Sequence, residues 1–222
     1  MRIFPLGENA LTVEFGNEIS LELNRKALDL AGHFQKHPFP GFIEAVPAYA
    51  STTLFYDPIL VRKIFCEFAT AFEAVESFAE TAISIGAQAI PYGKQIVEIP
   101  IIINNDSSPD LDFVSEFSEL PTDEVIAIFL DRSYTVFMLG FLPGFAYMGE
   151  VDERIAAPRK QTPRLRVPKG SVGIAGKQTG VYPLESPGGW QIIGRTEMKM
   201  FDPSSEQPCP LEPGDEVRFV RA

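Results

Sequence analysis

Apolar residues recur along this chain at two periods, and the dominant period changes near its middle. Residues 10–15, ALTVEF, alternate apolar and polar, the pattern of a half-buried strand. From Ser20, placed as an N-cap, Leu23, Ala27, Leu30, Ala31 and Phe34 fall on one helical face, and Pro38 ends the helix. Residues 42–48 and 51–56 read as two strands joined by a tight connection. Asp57-Pro58 then supplies a capping carboxylate and a proline at the first helical position. Phe68, Ala71, Phe72, Val75 and Phe78 form the buried stripe of that second helix. The order strand–helix–strand–strand–helix predicts a small α+β sandwich domain, with helices on one face of an antiparallel sheet.

Gly86, Pro91 and Gly93 interrupt the periodic segments, so the domain junction is placed in residues 85–95, dividing the chain into 1–88 and 89–222. A strand follows at 96–103. Ser108-Pro109 opens a short helix with Phe113, Val114 and Phe117 inward, and Thr122 caps another that runs to about Leu130. Beyond Tyr134 the helical period fades. Short β-prone pieces at 134–139, 166–167, 172–175, 180–183, 191–196 and 216–220 alternate with Gly/Pro turns, which predicts a β-barrel or sandwich. In the last piece Val217 and Phe219 share a face opposite Arg218.

Charge changes the picture. The net charge is −11, yet residues 154–184 hold seven basic side chains and no acid: Arg154, Arg159, Lys160, Arg164, Arg166, Lys169 and Lys177. Residues 95–131 show the reverse, with nine Asp or Glu and no Lys or Arg. A cationic island is costly through self-repulsion unless it meets an anionic ligand, an acidic partner or the chain's own acids. A pI near 4.7 argues against nucleic acid as a partner, because the phosphate backbone would meet a repelling field. The start, MRIFPLGENA, lacks signal-peptide organisation and no run is apolar enough for a membrane span, so a cytoplasmic protein with two reduced thiols, Cys66 and Cys209, is expected.

The run GSVGIAGKQTG does not meet the requirements of a phosphate loop. Ser171 and Gln178 stand where that loop needs Gly and Ser or Thr. His33 and His37 are four apart, but the helix is ending there and no third ligand is near in sequence, so no metal site is expected. The C-terminal part contains no His, which excludes a Ser–His or Cys–His pair built from its own residues. Arg159 and Arg164 follow prolines on extended backbone, a setting that suits carboxylate recognition by guanidinium forks. In GFLPGFAYMG, Phe141, Phe145, Tyr147 and Met148 gather around Pro143-Gly144. In SPGGW, two consecutive glycines permit close backbone approach and set Trp190 at a defined angle over a cleft.

These residues carry a resemblance. The run GFLPGFAYMGEVDERIAAPRKQTPRLRVPKGSVGIAGKQTGVYPLESPGGWQIIGRT closely resembles the block shared by the B subunits of bacterial 5-oxoprolinase and the KipI-type inhibitors of sporulation histidine kinases. This family is also labelled allophanate hydrolase subunit 1. FPLGENALTVEFGNEIS and VPAYASTTLFYDP resemble its N-terminal domain, so the likeness covers nearly the whole chain. It implies an N-terminal α+β domain followed by a cyclophilin-like β-barrel. It also implies two partners, the C and A subunits of 5-oxoprolinase, and a joint reaction that opens 5-oxo-L-proline to L-glutamate at the expense of ATP; the alternative is docking on a histidine kinase. The substrate or partner site candidates are Arg159, Arg164, Lys169, Ser171, Gln178, Tyr182, Ser186, Gly188, Gly189 and Trp190, and no catalytic residue is singled out. One position departs: members commonly carry a His five residues before the tyrosine that precedes the GF-PGF motif, and Phe129 stands at that offset from Tyr134.

Overall fold

A computed structural model describes residues 1–86 and 95–222. The chain forms two compact units, one to either side of residues 87–94. The expected boundary between residues 88 and 89 falls outside the described residues.

In the N-terminal unit, β1 (Arg2–Pro5), β2 (Ala10–Glu14), β3 (Phe42–Pro47) and β4 (Ser51–Tyr56) form an antiparallel sheet in the order β1-β2-β4-β3. α1 (Leu21–Lys36) starts at Ser20, whose hydroxyl accepts from the Leu23 amide. It buries Ala27, Leu30, Ala31 and Phe34 against Leu11, Val13, Leu54 and Tyr56 of the sheet. Two polar ties hold helix to sheet: Thr52 Oγ1 donates to the Ala27 carbonyl at 2.6 Å, and Asn24 Nδ2 to the Ala48 carbonyl at 3.0 Å.

The expected second helix is two. α2 (Pro58–Ile64) is capped by Asp57, whose carboxylate accepts from the Ile59 and Leu60 amides. α3 (Ala71–Ser84) begins afresh at Thr70, which forms a capping box with Glu73. That box satisfies amides at a new helix start, so Phe65 and Phe68 lie in the intervening turn and reach the core from there. β1 was not expected, because its burial does not alternate cleanly and it ends on a proline.

The C-terminal unit is a nearly closed barrel. Seven strands follow the order β12 (Gln191–Arg195), β9 (Ser171–Ala175), β10 (Gln178–Val181), β7 (Ala146–Gly149), β6 (Ser133–Leu139), β13 (Glu216–Arg221) and β5 (Ile96–Ile101). Neighbours are antiparallel except β13 and β5. Ile102 and Arg195 exchange both backbone hydrogen bonds, at 2.7 and 3.0 Å, and bring the two edges together. Inside sit Ile99, Val136, Met148, Ile174, Val217 and Phe219, with Val114 of α4 (Leu111–Ser118) and Phe129 of α5 (Thr122–Leu130). A two-stranded ribbon of β8 (Arg164–Val167) and β11 (Ser186–Gly188) forms a separate small sheet.

Two details differ from expectation. In α4 only Leu111 and Val114 are buried, while Phe113 and Phe117 are exposed, and the cap is Asp110 rather than Ser108. α5 has Pro121 as its N-cap, with Thr122 as the first helical residue. Phe129 is buried against the rings of Tyr134 and Phe219, and its carbonyl accepts from the Tyr134 hydroxyl at 2.7 Å. Here this position serves packing.

Candidate functional site

The sharpest construction in the barrel unit lies where the extended segment 157–163 runs beside the turn into β12. Lys160 N–H donates to the Gly189 carbonyl at 2.7 Å, and Gln191 Nε2 donates to the Pro158 carbonyl at 2.9 Å. Side chains on extended backbone point alternately to either side. Arg159 lies with its guanidinium 5.8 Å from the Trp190 ring centroid, whereas Lys160 reaches Asp110.

Trp190 does not stand at the mouth of a cleft. It is 4% exposed, in a cluster with Phe145, Val167, Ala175, Tyr182 and Ile192. Phe145, Tyr147 and Tyr182 meet it edge-on, with centroids at 5.4, 5.9 and 6.5 Å. Its backbone N–H donates to the Tyr182 hydroxyl. Burial pushes that hydroxyl up to about 12, against the lowering effects of this hydrogen bond and of Arg159. In the loop before β7, Phe141 stays exposed and Phe145 is inward, and within β7 Met148 is inward and Tyr147 half-buried, so the aromatic turn faces both ways.

On the other side, Asp110 is 3% exposed and collects three donors. Its Oδ1 accepts from Arg164 Nη2 at 2.5 Å and Lys160 Nζ at 3.0 Å, and its Oδ2 accepts from the Ile192 amide at 2.7 Å. Burial alone would raise the Asp110 pKa, but the hydrogen bonds from Arg164, Ile192 and Lys160 outweigh it and hold it below the usual carboxylate range.

Most of the cationic island is therefore neutralised by the chain itself. Arg154 pairs with Asp152, Arg166 with Glu185, Lys177 with Glu153, and Lys160 and Arg164 with Asp110. Of these acids only Asp110 belongs to the acidic stretch 95–131. Arg159 and Lys169 are exposed, and no acid among the described residues pairs with either.

The structure brings Arg159, Arg164, Tyr182, Gly188, Gly189 and Trp190 together; Arg164 and Gly188 are register partners across the ribbon. Ser186 lies on the same ribbon opposite Val167. Ser171 is buried, its carbonyl accepting from the Tyr182 amide at 2.9 Å, and Lys169 lies at the adjoining corner. Gln178 stands apart, at the opposite end of β10 from Tyr182, facing Gly149 and Ala175. Asp110 and Gln191 were not singled out from sequence, and Lys160 was named only as a member of the basic island. The one available signal was an Asp just before a helix, which reads equally as an ordinary cap.

GSVGIAGKQTG is the β9–β10 hairpin. Its β9 residues are buried, the Gly176 amide donates to the Ala157 carbonyl at 2.7 Å, and Lys177 is taken by Glu153. A nucleotide phosphate does not fit this loop.

A small α+β unit joined to a seven-strand barrel is the architecture of a carboxyltransferase module. The model of the carboxyltransferase domain, subdomain C and D, matches residues 1–211. The chain belongs to that family, and within it to the B subunits of 5-oxoprolinase. It is 43% identical to the 5-oxoprolinase B subunit of Bacillus subtilis, over 99% of this chain and 92% of that protein. Identity to the 5-oxoprolinase B subunit of Escherichia coli O157:H7 is 36%, over 99% and 95%. Among solved structures it is similar to TTHA0988, with TM-score 0.82, 36% identity and 96% of this chain covered. This chain spans 40% of TTHA0988. The urea carboxylase of Kluyveromyces lactis shares the fold, with TM-score 0.75 at 19% identity over 99% of this chain and 21% of that one.

Proposed function

We propose that this chain is the B subunit of an ATP-dependent 5-oxoprolinase that opens the lactam of 5-oxo-L-proline to L-glutamate together with the A and C subunits in the cytoplasm. The observation that carries the reading is 43% identity across almost the full length of a protein bearing that name. The chemistry of the chain is compatible with a shared site. Its C-terminal unit contains no histidine, so a Ser–His or Cys–His pair built within that unit is excluded. The β9–β10 hairpin offers no phosphate cradle, so the ATP that the complex uses is not bound through that loop.

The test is co-expression with the proteins encoded beside it, followed by a glutamate assay with 5-oxoproline and ATP. The assembled complex turns over and the purified chain alone does not. ATP-dependent turnover by the isolated 222-residue protein would overturn the multi-subunit reading. An assembled complex that forms no glutamate would overturn the assignment itself.

A further inference from the structure

Arg164, bonded to Asp110, and Gln191, next in the chain to Ile192 whose amide Asp110 accepts from, keep polar atoms that no described residue satisfies. Gln191 is 2% exposed. Its amide orientation is fixed because only the Nε2 end can donate to the Pro158 carbonyl, at 2.9 Å. That leaves Oε1 as a buried acceptor with no partner. Arg164 commits Nη2 to Asp110, while its Nη1 is sheltered and without a partner. Leaving such a group unmet destabilises the fold, and more so when the group is charged. The charges are also unbalanced. Lys160 and Arg164 bring two positive charges to the single negative charge of Asp110, with their side chains only 30% and 27% exposed.

An unmet cationic donor, an unmet neutral acceptor and a surplus positive charge define a ligand. The donor and the charge call for an anionic oxygen, and the acceptor calls for an N–H. A bridging water would satisfy the hydrogen bonds but not the charge. We propose that Arg164, Lys160 and Gln191, positioned by Asp110, form a subsite for a small carboxylate that carries an N–H beside its carboxyl group. Arg164 Nη1 takes the carboxylate and Gln191 Oε1 accepts the N–H. 5-Oxoproline has this arrangement, with carboxylate and lactam nitrogen on one carbon, so the identity of the ligand rests on the functional reading above. Lys160 is the movable wall. It holds Asp110 through one hydrogen bond from a flexible, partly exposed chain, and its displacement opens the cluster to solvent.

The test uses the assembled complex and reads KM and kcat separately, with equilibrium dialysis against 5-oxoproline on the same samples. Arg164→Lys keeps a charge beside Asp110 but loses the second guanidinium nitrogen. Gln191→Leu keeps the volume and loses the acceptor. Each is expected to raise KM for 5-oxoproline by about 10-fold or more, the effect of losing one hydrogen bond to a charged or buried group. The loss falls more on KM than on kcat, and dialysis shows the same weakening. Arg166→Ala, whose guanidinium pairs with exposed Glu185 on the same strand, leaves KM unchanged. Should Gln191→Leu fail to fold, Arg164→Lys carries the decision alone. If Arg164→Lys binds 5-oxoproline as wild type does, or the wild-type complex binds none, the subsite is overturned and the cluster is a structural knot. A wild-type complex that binds but does not turn over sinks the functional reading and leaves the subsite standing.

Discussion

A β-carbon on Gly188 would lie 2.9 Å from both Cε1 and Cζ of Tyr182, and nearer still to the hydroxyl. The tyrosine fills the space that glycine leaves, and its hydroxyl is held by the Trp190 amide. The SPGGW turn is thus shaped by a buried ring. Gly188→Ala is expected to destabilise the protein by about 1–3 kcal/mol through overpacking. At Gly189 the nearest atom to an added β-carbon is 3.6 Å away, so Gly189→Ala stays within about 0.5 kcal/mol of wild type. Urea titration of both variants checks the contrast; equal effects would contradict the packing.

Asp110 gives a prediction with a pH signature. Asp110→Asn leaves Lys160 and Arg164 without their shared counter-charge, and a loss of about 3 kcal/mol or more is expected at pH 7. The folded carboxyl lies below its unfolded value of about 3.9. Its contribution is therefore fully present above that value and fades as pH falls through the folded pKa. The stability gap between wild type and Asp110→Asn should narrow below about pH 4. A gap that is constant from neutral pH to pH 3 would mean that the carboxylate charge plays no part.

The architecture was legible in sequence wherever one face of an element is buried and the other is wet. α1 follows its 3.6 period from a visible cap, and Val217 and Phe219 alternate with Arg218 as the last strand requires. The break between α2 and α3 was missed because the apolar period runs through the turn, carried by Phe65 and Phe68. β7 and β11 were missed because four and three residues are too short to show a period. At the site, the close approach at Gly188 was readable from the glycine, but the burial of Trp190 was not. The Asp110–Arg164 pair spans 54 residues of sequence, and no local pattern announces it.

The two thiols should differ in reactivity. Cys66 is exposed, whereas Cys209 is partly covered, and burial pushes its thiol pKa up against a lowering hydrogen bond from the Gly144 backbone. With native protein at pH 8, a thiol reagent should label Cys66 quickly and Cys209 slowly, and denaturation should equalise the rates. Faster labelling of Cys209 in the native state would contradict its environment.

Trp190 supplies the last prediction, because it is the single tryptophan and its emission reports one place. At 4% exposure, walled by Phe145, Tyr147 and Tyr182, it should emit as an indole shielded from water. Acrylamide should quench it far less than in the urea-unfolded chain. The Arg159 guanidinium covers the ring from the solvent side, 5.8 Å from its centroid. Arg159→Ala should raise quenching slightly and cost less than about 1 kcal/mol, the scale of an exposed cation–π contact. Phe145→Ala removes a fully buried wall of the cluster. Its expected cost is about 3–5 kcal/mol, with a red-shifted emission as water reaches the indole. The two variants separate a packed core residue from a surface anchor: the core placement requires the large effect from Phe145 and the small one from Arg159. Wild-type protein quenched as readily as the unfolded chain, or an Arg159→Ala effect larger than that of Phe145→Ala, would put Trp190 at the surface instead.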